Sequence, residues 1–546
     1  MSSTRLRQLA GLLIALIALN GMLVFANSWP GLGVRVQWLL SGELALLLLG
    51  LSLWLRRGAG LDARTQAGLA ALLGVAVLLH YADVTSRALL GRPVNLYWDG
   101  QHAWQVLRMA GADREWGKLL GALAGGILLL VLLHRLLSTL LGWIAEALSH
   151  RRTASGAALA AGLVSALWLL GPRLGLPVQQ LYAGPVSGTV LQQARAMARS
   201  MSAEQLDALL PPSPAFDSDL SALGGADVLV LFVEAYGAIT LDKPQIADAL
   251  APAREELAAA IAASGRSVVS ARVVSPTFGG ASWLAHAALL SGIDTRDPDT
   301  YATLLRSRRP TMVSHFAAHG YRTVAWVPGI QRPWPEGRFW GFDRYGELHS
   351  LGYEGLPFGY WQVPDQAAMA LLAREELRSA GTIGQPRFVM FPIVSTHAPF
   401  APIAPVKTDW SALTGAGAYT EAERDAALTQ PEDWTEPVPQ YIGAFRYTFG
   451  WIASFLAERA SPDLVLVVIG DHQPIGAVTG PGAPWDVPVH VIGRNSALLA
   501  RLRLAGFVDG IDPAAGAIGP MHALTPVLLR AFGDTMRPAT PAAAPP

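Results

Sequence analysis

Residues 464–474 read Leu-Val-Leu-Val-Val-Ile-Gly-Asp-His-Gln-Pro. A short, unbroken apolar run closed by Gly fits a strand buried on both faces, because a strand with one wet face would alternate. The run ends directly on Asp471 and His472. Val228–Val233 (Val-Leu-Val-Leu-Phe-Val) runs in the same way into Glu234, and Phe-Val-Met-Phe-Pro-Ile-Val-Ser-Thr from Phe388 runs into His397. A fourth segment, Phe278-Gly-Gly-Ala-Ser-Trp-Leu-Ala-His286, sets Ser282 after a Gly-rich turn at a helix start.

Further β-rich runs lie at 268–274, 323–327 and 487–492. Helical patterns separate the runs, at about 245–263, 283–291, 309–319, 364–379 and 440–459. Strands alternating with helices predict an α/β domain over 226–535 with a mainly parallel sheet covered by helices. In such sheets the chemistry gathers at the carboxyl ends of the strands. Carboxylates and an imidazole converging there can hold a divalent cation. A hydroxyl at a helix start can join that ion and act as a nucleophile. His490, inside an apolar run, reads as a satisfied core or edge residue; His522 sits on a late loop that could face the site.

The first 173 residues are of another kind. The chain of 546 residues is 51% hydrophobic and only 15% charged, against about 25% charged in ordinary soluble domains. That excess lies in five apolar runs, at about 8–26, 36–55, 67–82, 117–137 and 155–172. They predict a five-helix transmembrane domain over 1–173, with the third and fifth runs short for a span. Arg5 and Arg7, then Arg56, Arg57 and Arg64, then Arg135, Arg151 and Arg152 mark one side as cytoplasmic, so an odd number of spans carries the rest outside. The loop 83–116 resists this scheme with four arginines, but its Tyr97, Trp98, Trp104 and Trp116 suit a headgroup-contacting segment. Glu43, inside the second run, is either functional or paired near a helix end. Residues 174–225 read as a linker holding an amphipathic juxtamembrane helix near 190–210, and 536–546 as a disordered tail. Lys+Arg and Asp+Glu balance at 41 each, which gives no basic footprint for nucleic acid. The absence of cysteine excludes a disulfide scaffold, a thiolate nucleophile and thiolate-bound zinc.

Glu234, the Ser282 segment, Ser395-Thr-His397-Ala-Pro-Phe400 and Gly470-Asp-His-Gln-Pro474 together resemble the markers of the alkaline phosphatase–sulfatase superfamily. Five spans followed by an external domain resemble its lipoteichoic acid synthase and phosphoglycerol transferase branch. The resemblance implies one divalent cation (manganese, magnesium or zinc) held by Glu234, Ser282, Asp471 and His472, with Ser282 as nucleophile. It implies that His397 contacts the phospho group. Trp326 and Arg332 fall roughly where the family has substrate-binding Trp and Arg, though the local spacing differs. Thr277 competes with Ser282, since these transferases use Thr, but Ser291 and Gly292, nine and ten residues on, favour Ser282. Sulfatases carry Pro and Arg two and four residues after the nucleophile; here Leu284 and His286 stand there, which disfavours sulfate-ester chemistry. His286 is either a substrate or charge partner at the site or helix surface.

The reaction that the resemblance implies is transfer of a phosphoglycerol-like group from a membrane phospholipid to an envelope glycan acceptor, outside a bacterial cytoplasmic membrane. The lack of Cys leans away from the phosphoethanolamine transferases, many of which carry disulfides. A phosphodiesterase or phosphatase using water remains an alternative, as does an inactive binding scaffold.

Overall fold

The computed structural model describes the chain from Ser3 to Gly533 apart from residues 29–32, 59, 91–92, 97–99, 101–115, 192, 194–209, 378–383 and 435. Most of the expected juxtamembrane helix, the aromatics Tyr97, Trp98 and Trp104, and the expected tail lie outside the described residues. The chain divides into two compact units, residues 1–88 with 92–201 and residues 202–546 with 89–91.

The first unit holds five apolar helices: α1 (Ser3–Val24), α2 (Gly42–Leu55), α3 (Ala63–Leu90), α4 (Trp116–Leu148) and α5 (Arg151–Leu170). Among the described residues four of them are long and apolar enough to cross a membrane, and the second is a shorter apolar helix, so the expected count of five is not confirmed. The apolar runs that look short, the third and fifth, continue into helices of 28 and 20 residues through more polar ends. The second run does the reverse and keeps only 14 helical residues, about 21 Å against a hydrocarbon core of roughly 30 Å. The cause is local. Asn20 holds the preceding segment extended, donating to the Leu39 carbonyl at 2.7 Å and accepting from the Ser41 N–H at 2.8 Å. The Ser41 hydroxyl then accepts from the Leu44 N–H and starts α2 late. Glu43 accepts from the N–H groups of Val186 and Ser187 at 2.9 and 2.6 Å, where residues 186–191 begin a helical turn. Of its two readings, the structure supports the capping one.

The second unit is built on an eight-stranded sheet: β1 (Val228–Val233), β2 (Ser267–Val274), β3 (Arg322–Val327), β4 (Arg344–Glu347), β5 (Arg387–Pro392), β6 (Val465–Gly470), β7 (Asp486–Gly493) and β8 (Val508–Asp509). The spatial order is β8-β2-β7-β6-β1-β5-β3-β4. From β6 through β4 every neighbouring pair is parallel, and from β6 through β8 every pair is antiparallel. β1 sits inside the parallel half between β6 and β5, and its side chains alternate between two cores. Leu229, Leu231 and Val233 enter the layer under α6 (Pro244–Ala263), α9 (Asp365–Glu375) and α10 (Val438–Glu458). Val228, Val230 and Phe232 enter the layer under α7 (Ser282–Ser291), α8 (Met312–Ala318), α11 (Ser496–Leu504) and α12 (Met521–Phe532). Burial on both faces is why these runs are apolar without alternation.

Candidate metal centre

The register of two strands sets the site. β1 and β6 pair in parallel with Val233 opposite Gly470, so the next residue on each, Glu234 and Asp471, emerges side by side. Gly470 is required for this close approach, because a Cβ there would run into the carbonyl of Tyr236. The third contribution comes from α7. Gly279 and Gly280 have φ of +68° and +147°, and Ala281 follows at +61°, all in the left-handed range. This turn lifts Ser282 onto the first position of the helix. The Thr277 hydroxyl donates to the Gly280 carbonyl at 2.6 Å and so holds the turn.

Ser282, Glu234 and His472 form a tight triangle. The Ser282 hydroxyl donates to Glu234 Oε2 at 2.8 Å and lies 3.1 Å from His472 Nε2, which is itself 3.1 Å from Glu234 Oε1. Asp471 Oδ1 stands 3.7 Å from the same nitrogen. Ligand atoms of Glu234, Asp471 and His472 all lie within 4.8 Å of one another, the one such group among the described residues. His472 Nδ1 donates to the Gln473 carbonyl at 2.7 Å, which fixes the ring and turns Nε2 toward the carboxylates.

The electrostatics call for a cation. Burial, and then the neighbouring Glu234, push the Asp471 carboxyl well above its ordinary range. Burial also works against an ionised Glu234, but the adjacent His472 overrides it and holds that carboxyl low. For His472 burial is outweighed by Asp471 and Glu234, which lift it to about 9. Two buried carboxylates thus share one imidazole, and Asp471 Oδ2 has no hydrogen-bond partner among the described residues. A divalent ion would fit this set: Glu234, Asp471 and His472 would hold it, and its charge would offset that of both carboxylates.

His397 follows β5 on a loop that Asp365 holds. The buried Asp365 accepts from the N–H groups of Val394 and Ser395 at 3.0 and 2.8 Å, and burial raises its pKa to about 6. His397 Nδ1 donates to the Ala398 carbonyl, and its ring meets Trp361 edge-on at 4.8 Å. Asp365 and Trp361 are absent from the sequence reading. The Pro364-Asp365 helix start was a signal for the first; nothing local marks the second.

One expectation needs correction. Trp326 is fully buried in the core, its indole N–H donating to the Ala368 carbonyl at 2.9 Å, so it presents no face to a substrate. His286, expected either as a substrate or charge partner at the site or as helix surface, is mostly covered, with Nε2 3.9 Å from Asp471 Oδ2 and its ring 4.3 Å from that of Phe232. Burial lowers its pKa to about 4. Arg332 is exposed on the loop after β3, the loop that Gln331 ties to the Tyr360 carbonyl beside Trp361. His522 is half-buried in the first turn of α12 and outside the ligand group. His490 is a core residue: it lies 2.9 Å from the Tyr236 hydroxyl and 2.7 Å from the Ser270 hydroxyl.

No family model and no curated protein matches the chain. Solved structures do. One is a protein in the alkaline phosphatase superfamily from Vibrio parahaemolyticus (16% identity, 62% of this chain and 73% of that one, TM-score 0.35). Another is the lipoteichoic acid synthase LtaP from Listeria monocytogenes (13%, 53% and 71%, TM-score 0.30). A third is the C-terminal periplasmic domain of EcEptC from Escherichia coli (15%, 57% and 91%, TM-score 0.32).

Proposed function

We propose that this chain is a membrane enzyme that transfers a phosphoalcohol group, of the phosphoglycerol type, from a phospholipid to an envelope glycan acceptor on the outer side of a bacterial cytoplasmic membrane. The observation that carries the reading is the Ser282 hydroxyl at the start of α7, within 2.8–3.1 Å of Glu234 and His472 and beside Asp471. Glu234, Asp471, His472 and the Ser282 oxygen are the groups that would hold one divalent cation; manganese, magnesium and zinc all accept such donors. When bound, the ion supplies Lewis-acid stabilisation of negative charge on oxygen.

The chain's own groups do the rest. Ser282 gives up its proton, with Glu234 as the nearest acceptor, and its oxygen attacks phosphorus. The bond from phosphorus to the lipid oxygen breaks, and the leaving diacylglycerol alkoxide takes a proton. The backbone N–H groups at the start of α7 favour the phosphate oxygens in that position. An acceptor hydroxyl then attacks the phosphoserine; the bond to Ser282 breaks and the serine regains a proton. His397, half-buried at the rim and steered by Trp361, is placed to bind the phospho group or to move a proton at these steps. Anchoring by apolar helices keeps the site near its lipid donor and raises the local donor concentration.

The test is mass spectrometry of the protein after incubation with vesicles of defined phospholipids. The added mass on Ser282 names the transferred group. Radiolabel from the lipid headgroup should then reach a glycan; label released only into water would replace transfer with hydrolysis.

A further inference from the structure

We propose that His286 is a positioning residue for the metal centre, donating from Nε2 to Asp471 Oδ2 and fixing that carboxylate for the cation. The inference rests on the metal reading above. His286 lies four residues after Ser282 on α7, so both side chains leave the same face of the helix. Its ring packs on Phe232, the penultimate residue of β1, and its side chain is only 13% exposed. His286 Nε2 and Asp471 Oδ2 are both buried and both without a hydrogen-bond partner among the described residues, and they face each other across 3.9 Å.

The remaining oxygen of Asp471 is already committed. Oδ1 accepts from the Ala235 N–H at 2.8 Å and from the His472 N–H at 2.7 Å. The carboxylate is therefore pinned at one oxygen and loose at the other, and rotation about that pin would sweep Oδ2 through the ligand position. One donor to Oδ2 stops the rotation. A closure of about 1 Å converts the gap into an ordinary hydrogen bond. His286 does not join the group whose atoms lie within 4.8 Å of one another, so it supports a ligand and is not one itself. Because it rides on the nucleophile's helix, the same bond ties Ser282 to the strand end that carries Asp471.

The experiment compares wild type, His286→Phe and His286→Gln, as full-length protein in detergent, by calorimetric titration with Mn²⁺ and with Zn²⁺. Phe keeps the packing and removes the donor; Gln restores an N–H at similar reach. His286→Phe should bind 10–100-fold more weakly, as losses of such supporting bonds do, and His286→Gln should recover most of the loss. Should the Phe variant fail to fold, His286→Asn, too short to span the gap, takes its place. In excess chelator the unfolding temperatures of wild type and variants should agree within a few degrees, which a general structural role would not allow. Equal affinity in wild type and His286→Phe overturns the inference alone. A wild-type chain that binds neither ion overturns the metal reading as well.

Discussion

Two buried polar clusters sit within a few residues of each other on adjacent strands, and they are built on opposite plans. In the first, Tyr236, His490 and Ser270 form a closed chain: the tyrosine hydroxyl meets Nε2, Nδ1 meets the serine, and the serine donates to the Gly510 carbonyl. Each ring nitrogen has a partner, and nothing is charged. In the second, Glu234, Asp471, His472 and Ser282 pack two carboxylates around one imidazole and leave Asp471 Oδ2 without a hydrogen bond, His286 Nε2 standing 3.9 Å away. Burial is equal; satisfaction is not. A polar cluster that completes itself contributes to the fold. One that is stable only with something added is holding a place for a ligand.

The comparison breaks most sharply on activity. Ser282→Ala is expected to reduce headgroup transfer by at least about a thousandfold, as loss of a covalent nucleophile does, while His490→Phe should stay within a few-fold of wild type. Initial rates on phospholipid vesicles measure both. If the two variants lose activity equally, the division into a reactive and a structural cluster fails.

Metal affinity is the next test. Asp471→Asn should weaken binding of the cation by about a hundredfold or more and, by removing one of two crowded carboxylates, should make the chelated protein more stable than chelated wild type. Thermal unfolding with and without chelator reads this. In wild type the bound ion should add about 2.7 kcal/mol at a concentration 100 times its Kd, and in Asp471→Asn almost none.

His490→Phe sharpens the other side. It leaves the Tyr236 hydroxyl and the Ser270 hydroxyl short of a partner, so it should cost about 1–3 kcal/mol in denaturant titration, with cation affinity unchanged. It should also change the response to acid. Burial lowers the pKa of His490 to about 3 in the folded chain, against 6.5 for a free imidazole. Between those values the unfolded chain binds a proton that the folded one refuses, so stability falls as pH drops through that window and stops falling near its lower end. Replacing His490 removes one such proton, and the acid-unfolding curve should become shallower. An unchanged curve would mean that His490 protonates in the folded state.

The smallest effect belongs to the membrane unit. Glu43→Gln removes the charge from a carboxylate that accepts two backbone N–H groups at a helix start, and should cost about 1 kcal/mol there. Transfer activity should not change.

Much of the second unit was legible in the sequence. The strand ends carrying Glu234, Asp471-His472 and His397 follow apolar runs whose lack of alternation reports burial on both faces, and the Gly-rich turn marks the helix of Ser282. β4 and β8 were not legible, since they are short edge strands with mixed composition. Trp326 misled because a tryptophan near a strand end reads equally as an aromatic contact for a substrate and as a core pin; only its bond to the Ala368 carbonyl decides. For His286, helical spacing gives the face it shares with Ser282 but not which of its two readings holds; the structure sets its Nε2 3.9 Å from Asp471 Oδ2. In the first unit the apolar runs match the five apolar helices among the described residues but misjudge their lengths, because a side-chain cap such as Asn20 acts on backbone groups that a hydropathy average does not see.

Gly470 has one more consequence. The spacing between the ends of β1 and β6 is set where two main chains touch, at the Tyr236 carbonyl, and not by the fit of side chains in either layer beneath. The gauge that separates Glu234 from Asp471 therefore has no room for even one more carbon. Substitutions that loosen the hydrophobic layers should lower the melting temperature before they alter what the two acids can grip, whereas a single methyl added at this glycine, forced against a main-chain carbonyl, should disturb both together.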